Sequence, residues 1–153
     1  APAAPSGDVE LGDAVRTRHP GEAHGIRLES FTAAGRQGEV AAHTVLGQDD
    51  AFTDVPWWWS DQYDATVQSM GVAPAGAREE VLDVPGGLLV LSVVGDRLVA
   101  ACGVTHGPGI ARAVRVAGPA IAAGARLDVG AAHAAAGDLA ALTAVLRTAA
   151  RPH

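Results

Sequence analysis

Two apolar runs, Leu88 to Val94 and Arg97 to Val104, meet across the dipeptide Gly95-Asp96. Glycine in a two-residue connection between β-prone runs is the signature of a tight antiparallel hairpin. That hairpin constrains the fold more than any other stretch. Two weaker runs extend the pattern. Arg78 to Val84 reads as a strand stopped by Pro85-Gly86-Gly87, and Ala65 to Gly71 alternates as a half-buried strand does, with a loop over 72–77 between them. The sequence therefore predicts a small antiparallel sheet of about four to five strands.

Helical periodicity takes over after the sheet. The turn Thr105-His106-Gly107-Pro108-Gly109 opens a predicted helix from Ile110 to Ala123, with Gly124 at its C-terminal stop. Pro119 is expected to break or kink it near Val116. Ala131 to Ala136 reads as loop or helix. Leu139 to Ala150 is a short helix with Leu139, Leu142, Val145 and Leu146 on one face. The fold class is α/β of the α+β kind: a small antiparallel sheet packed with C-terminal helices.

A second, earlier region has a different character. Residues 1–7 are a Pro/Gly loop, and 10–28 are polar, ending in the short extended run Gly25 to Glu29. Phe31 to Leu46 keeps spacings of three and four, with Ser30 or Thr32 as cap and Gly47 as stop. Gly35 and Gly38 inside that helix cost about 1 kcal/mol each relative to Ala. Close approach of another group to the backbone, or plain packing on a sheet, accounts for them. The acidic stretch Gln48 to Asp54 is a boundary between residues 1–48 and 49–153.

Directly after it stands Val55-Pro56-Trp57-Trp58-Trp59-Ser60-Asp61-Gln62-Tyr63, with all three tryptophans and the one tyrosine of the chain. In extended backbone Trp57 and Trp59 share one side and Trp58 takes the other. One reading is an anchoring strand buried at a domain interface; the other makes an indole the wall of a ligand pocket or part of a docking face.

Composition excludes several classes. The chain has 153 residues and a net charge of −6, and its basic side chains are all arginine. With no aromatic–basic interleaving, nucleic-acid binding is disfavoured. No run of roughly 18 apolar residues suggests a transmembrane helix, and no signal peptide is visible. The single cysteine, Cys102, rules out an intrachain disulfide and fits a cytoplasmic location. Ala1 at the start and Met70 as the one methionine suggest a processed, trimmed or partial chain. The six histidines lack metal-ligand spacing, and no catalytic acid, base or nucleophile is identified. Charge is uneven: residues 1–83 hold 14 acids and 5 arginines, residues 84–153 hold 3 acids and 6 arginines. An acidic partner could be steered to the arginines of the second half; a solvated helix face explains them equally.

The run Pro56-Trp57-Trp58-Trp59-Ser60-Asp61-Gln62 resembles the Pro-Trp-x-Trp-Ser-Asp-Gln signature of FAD-dependent ferredoxin reductases, which serve Rieske dioxygenases, cytochromes P450 and rubredoxins. Order and spacing around it agree. Gly7-Asp8-Val9 looks like the late FAD motif of that family; alone it reads as a turn. Glu29-Ser30-Phe31-Thr32-Ala33-Ala34 and Gln37-Gly38 are similar to Glu-x-Trp-x-Asn-Ala followed by Gln-Gly, with Phe31 in place of Trp and Ala33 in place of Asn. Gly95 to Ala100 resembles the family's hairpin, and Ala122 to Asp128 its late helix end.

The resemblance implies a three-part flavoprotein, in which hydride passes from NAD(P)H to FAD and single electrons pass to a ferredoxin or rubredoxin. Residues 1–48 would be the tail of the FAD-binding domain and 49–153 the reductase C-terminal domain. Gly7, Asp8, Phe31, Thr32, Gln37 and Trp59 would line the flavin site, with Asp8 holding the ribityl chain. No dinucleotide fingerprint Gly-x-Gly-x-x-Gly occurs in this chain. The missing N-terminal FAD and NAD(P)H domains are thus expected partners, and the chain alone is expected to lack activity and not to retain FAD. A free-standing flavin-less module that docks an electron carrier or partner subunit, and a remnant without activity, remain alternatives.

Overall fold

A computed structural model describes residues 16–17, 26–107 and 109–149. They form two compact units, divided between Thr53 and Asp54.

In the first unit, the two-residue strands β1 (Arg16–Thr17) and β2 (Ile26–Arg27) pair antiparallel, followed by helix α1 (Phe31–Val45). Of the two predicted caps, Ser30 is the one used: its Oγ accepts the N–H of Ala33 at 3.2 Å. Ala33, Gln37 and Ala41, spaced by four, form the buried stripe of α1. Gly47 ends it at φ +74°, a conformation that glycine adopts without a Cβ penalty.

The second unit is a two-layer α+β sandwich. Strands β3 (Trp57–Gln62), β4 (Ala65–Gly71), β5 (Arg78–Val84), β6 (Gly87–Val94) and β7 (Arg97–His106) form one antiparallel sheet in the order β3-β4-β7-β6-β5. The central hairpin is as the sequence predicts: Val94 pairs with Arg97 across Gly95-Asp96. The Pro85-Gly86 hairpin pairs Val84 with Gly87. A third tight connection, Tyr63-Asp64, joins β3 to β4 with Tyr63 at φ +58°. β7 runs two residues further than expected, so Thr105 and His106 belong to the sheet.

Helices α2 (Ile110–Ala122), α3 (Val129–Ala135) and α4 (Leu139–Ala149) cover one face. α2 lies across β7 and β4 and packs on α4. Apolar side chains alternate into this layer. Leu89, Leu91 and Leu98 from the sheet meet Ile110, Val114, Leu142 and Leu146 from the helices, all fully buried. Gly103 sits beneath α2: a Cβ there would lie 2.3 Å from Ile110 Cγ1. The close helix–sheet approach therefore depends on that missing side chain.

One expectation is corrected here. α2 runs through Pro119 without a break. Pro119 sits in the last turn of the helix, so the lost N–H bond affects only its end. The buried residues Val114, Ala117, Gly118 and Ala120 hold the segment against the sheet, and packing outweighs the proline.

Candidate functional site

The edge strand β3 carries the tryptophans, and its register explains their arrangement. Trp57 lies opposite Met70, and Trp59 opposite Gln68, on the helix-covered face. The two indoles stack with centroids 4.7 Å apart and planes inclined by 22°. The guanidinium of Arg115, on α2, lies 4.5 Å from the centre of a Trp57 ring. Trp57 Nε1 donates to Gln68 Oε1 at 3.2 Å, and Gln68 is itself buried. An ordered stack thus runs from α2 outward to Trp59, which is 44% exposed. Trp58 and Trp59, at 42% and 44% exposure, keep much of their surface uncovered within this chain. An edge strand has no second neighbour to cover its side chains.

The opposite face of the sheet carries apolar side chains that are partly exposed. Register places Trp58, Ser69, Cys102, Val90 and Val81 in one row across all five strands. The next row runs Ser60, Val67, Val104, Leu88 and Asp83, apolar in its middle three positions. Val81, Leu88 and Val104 remain substantially exposed. Adjacent exposed apolar side chains on a sheet face are characteristic of a surface that meets another body.

In the first unit, Phe31 and Thr32 form the first turn of α1. Phe31 is 87% exposed, and Thr32 Oγ1 lies 3.3 Å from Ser30 Oγ. Gln37 lies on the buried stripe. Its Oε1 and Nε2 are both buried and make no hydrogen bond among the described residues. Such a group is costly unless something completes it. No side chain or backbone lies within 4 Å of a Cβ added at Gly35 or Gly38, so no contact among the described residues requires those glycines. Gly7 and Asp8 lie outside the described residues. Of the six expected site residues, Phe31, Thr32 and Gln37 thus share one helix, while Trp59 belongs to the other unit.

Sequence reasoning missed a charged clamp in the first unit. Arg36 Nη2 and Nη1 donate to Asp50 Oδ1 and Oδ2, each at 3.2 Å, and His43 Nδ1 lies 2.7 Å from Asp50 Oδ2. Arg36 and His43 are seven residues apart, hence on one face of α1. The His43 hydrogen bond, then Arg36, lower the pKa of Asp50 to about 2. The spacing of Arg36 and His43 was the available signal. The second unit has a counterpart. Glu80 on β5 accepts from His133 on α3 at 3.0 Å and also pairs with Arg78. Hydrogen bonding from His133, chiefly, with the charge of Arg78, holds the Glu80 carboxyl below its ordinary range against the opposing effect of burial.

Among the described residues no cluster of His, Cys, Asp or Glu could hold a metal, and no helix is long and apolar enough to cross a membrane.

These features have relatives. Residues 57–143 match the family described as reductase C-terminal. The chain is 43% identical over 106 residues, 67% of its length, to the ferredoxin–NAD(+) reductase component of the anthranilate 1,2-dioxygenase system of Burkholderia cepacia, and covers 25% of that protein. It is 36% identical over 72 residues to rhodocoxin reductase of Rhodococcus erythropolis, covering 47% of this chain and 17% of that one. The chain thus spans a quarter or less of the length of these relatives. Among solved structures it superposes on Fdr9 with TM-score 0.70 and 28% identity, over 87% of this chain and 34% of that one. The reductase of the covalent putidaredoxin reductase–putidaredoxin complex shares the fold at TM-score 0.73 and 22% identity, over 94% of this chain and 33% of that one. The matched span begins at the first stacked tryptophan and ends within α4, taking in the whole sheet: the chain belongs to the reductase C-terminal family.

Proposed function

We propose that this chain is the C-terminal portion of an FAD-dependent ferredoxin reductase, which passes electrons from NAD(P)H through FAD to a ferredoxin-type iron–sulfur protein in the cytoplasm. The observation that carries the reading is the 43% identity, over two thirds of the chain, to the reductase component of a dioxygenase system. Residues 1–48 are then the tail of the FAD-binding domain, and 49–153 the C-terminal domain.

The described residues fit a flavin. The buried amide of Gln37 has both its NH2 donors and its carbonyl acceptor without a partner among the described residues, the two kinds of group that a ring carbonyl and a ring or ribityl N–H or O–H require. The start of α1 at Phe31 and Thr32 carries no acidic side chain in its first turn, so the positive end of its dipole is open to an electron-rich carbonyl. Trp59, the residue of the proposed set that lies in the second unit, is half exposed and stacked on Trp57. Gly7 and Asp8 complete the proposed set at the ribityl chain. Bound flavin supplies the redox chemistry, accepting hydride and releasing single electrons. The residues of this chain would bind and orient it; none of them is assigned a proton-transfer role.

The 153-residue chain, purified alone, is expected to lack the visible absorbance of flavin, because the dinucleotide-binding segments of such enzymes lie outside it. Stoichiometric FAD in that preparation would contradict the assignment.

A second reading is a flavin-less module that docks an electron carrier or partner subunit. The exposed apolar rows around Trp58 and Val104 favour it. It requires salt-sensitive association of the chain alone with a ferredoxin; titration at low salt with no binding would exclude it.

A further inference from the structure

The helical layer of the second unit carries a groove of about 340 Å³ that the flavin reading does not use. It lies where the starts of α2 and α4 meet and is lined by Gly109, Arg112, Leu139, Ala140, Thr143 and Arg147. Gly109 abuts α4: a Cβ there would lie 2.9 Å from Leu139 Cδ1, the tip of a side chain that can shift.

Three independent observations converge on it. α2, 13 residues long, has no side-chain cap and no acid in its first turn. Its first turn instead holds a cation, Arg112, where the helix dipole disfavours positive charge. Next, neither Arg112 nor Arg147 makes an ion pair among the described residues, whereas Arg27, Arg36, Arg78 and Arg126 do. Finally, Thr143 is 94% buried (6% exposed), yet its hydroxyl has no hydrogen-bond partner among the described residues. The helical threonines Thr44 and Thr148 both donate to the carbonyl four residues back, at 2.9 Å. Thr143 does not, so its hydroxyl remains available to the groove that it lines. The neighbouring helix start is already satisfied: Asp138 Oδ1 accepts the N–H groups of Ala140 and Ala141 at 2.7 and 3.2 Å.

We propose that this groove binds a small phosphate-bearing molecule, its phosphate held by Arg112, Arg147, the Thr143 hydroxyl and the N–H groups at the start of α2. Two guanidinium forks, a hydroxyl and helix-terminal N–H groups supply more donors than one carboxylate accepts and suit the three terminal oxygens of a phosphate monoester. A volume of about 340 Å³ suits a small organic phosphate.

The test is an amide-resolved NMR titration of the 153-residue chain with inorganic phosphate, against acetate and chloride at matched ionic strength. Saturable shifts are expected at Ile110, Ala111, Arg112 and Thr143, with phosphate binding more tightly than acetate. The double variant Arg112→Gln/Arg147→Gln should weaken binding by roughly tenfold or more, the scale of one lost charge-assisted hydrogen bond. Thr143→Val, which keeps the shape of the side chain, should weaken it several-fold while leaving the spectrum otherwise dispersed as in the parent. Non-saturating shifts spread over Arg78, Arg97 and Arg126 would mean adventitious ion binding only and overturn the proposal. Saturation by a polyglutamate peptide but not by phosphate would make the groove a protein-docking edge and overturn it equally. No flavin is involved, so failure here leaves the reductase reading untouched.

Discussion

Trp57 and Trp59 stack at 4.7 Å on the edge of the sheet, and the inner indole is fixed by Arg115 and Gln68 while the outer one is half exposed. The pair therefore divides its labour: Trp57 secures the edge strand, and Trp59 offers a pre-ordered surface. Trp57→Ala should lower stability by about 2–4 kcal/mol, somewhat below a full core truncation. Trp59→Ala should cost roughly 1–2 kcal/mol, reflecting its exposure. Urea denaturation of both variants checks the order; equal losses would mean that the outer indole is as structural as the inner one.

Gly103 is the point at which α2 rests closest to the sheet. Gly103→Ala should destabilise the second unit by about 1–3 kcal/mol through overpacking against Ile110. Gly35→Ala, on a helix with nothing within 4 Å of the added methyl, should raise stability by roughly 0.5–1 kcal/mol. Thermal unfolding distinguishes the two signs.

The clamp of Asp50 by His43 and Arg36 has a defined pH signature. The Asp50 pKa is lowered from 3.8 to about 2, so the folded unit binds fewer protons than the unfolded chain between those values. The contribution is fully present above about pH 4 and is lost as pH falls through 2. Carbon-detected NMR should place the Asp50 midpoint near 2 and return it toward 3.8 in Arg36→Gln/His43→Gln. An ordinary midpoint in the parent would dissolve the clamp.

His133 and Glu80 tie α3 to the edge strand β5. Because the Glu80 pKa is lowered, its contribution is present at neutral pH and fades as acid protonates the carboxyl. His133→Ala should raise the Glu80 pKa and increase amide exchange in α3. Unchanged values for both would leave the contact without consequence.

Much of the sheet is legible in the sequence because its turns are written in glycine. Gly95-Asp96 and Pro85-Gly86 mark two hairpins, and the apolar alternation between them sets the register. The third hairpin is not written that way. Tyr63 takes φ +58°, which a bulky residue rarely adopts, so no turn residue announces it. Pro119 misleads for the opposite reason: local propensity points to a break, and burial of Val114, Ala117 and Ala120 overrides it. The tryptophan signature identifies the family, but exposure at an edge is a property of strand order, which local sequence does not carry. The unsatisfied amide of Gln37 likewise emerges only once α1 has a buried face. The Thr143 groove needed the meeting of two helix starts, 29 residues apart in the chain.

The most direct test is the visible spectrum of the protein expressed from its complete reading frame, before and after anaerobic addition of NADH or NADPH. A flavin spectrum that is bleached by reduced nicotinamide and restored by an oxidised ferredoxin is the expected result. A colourless protein, or bound flavin that neither nucleotide reduces, would contradict the assignment of this chain to a working ferredoxin reductase.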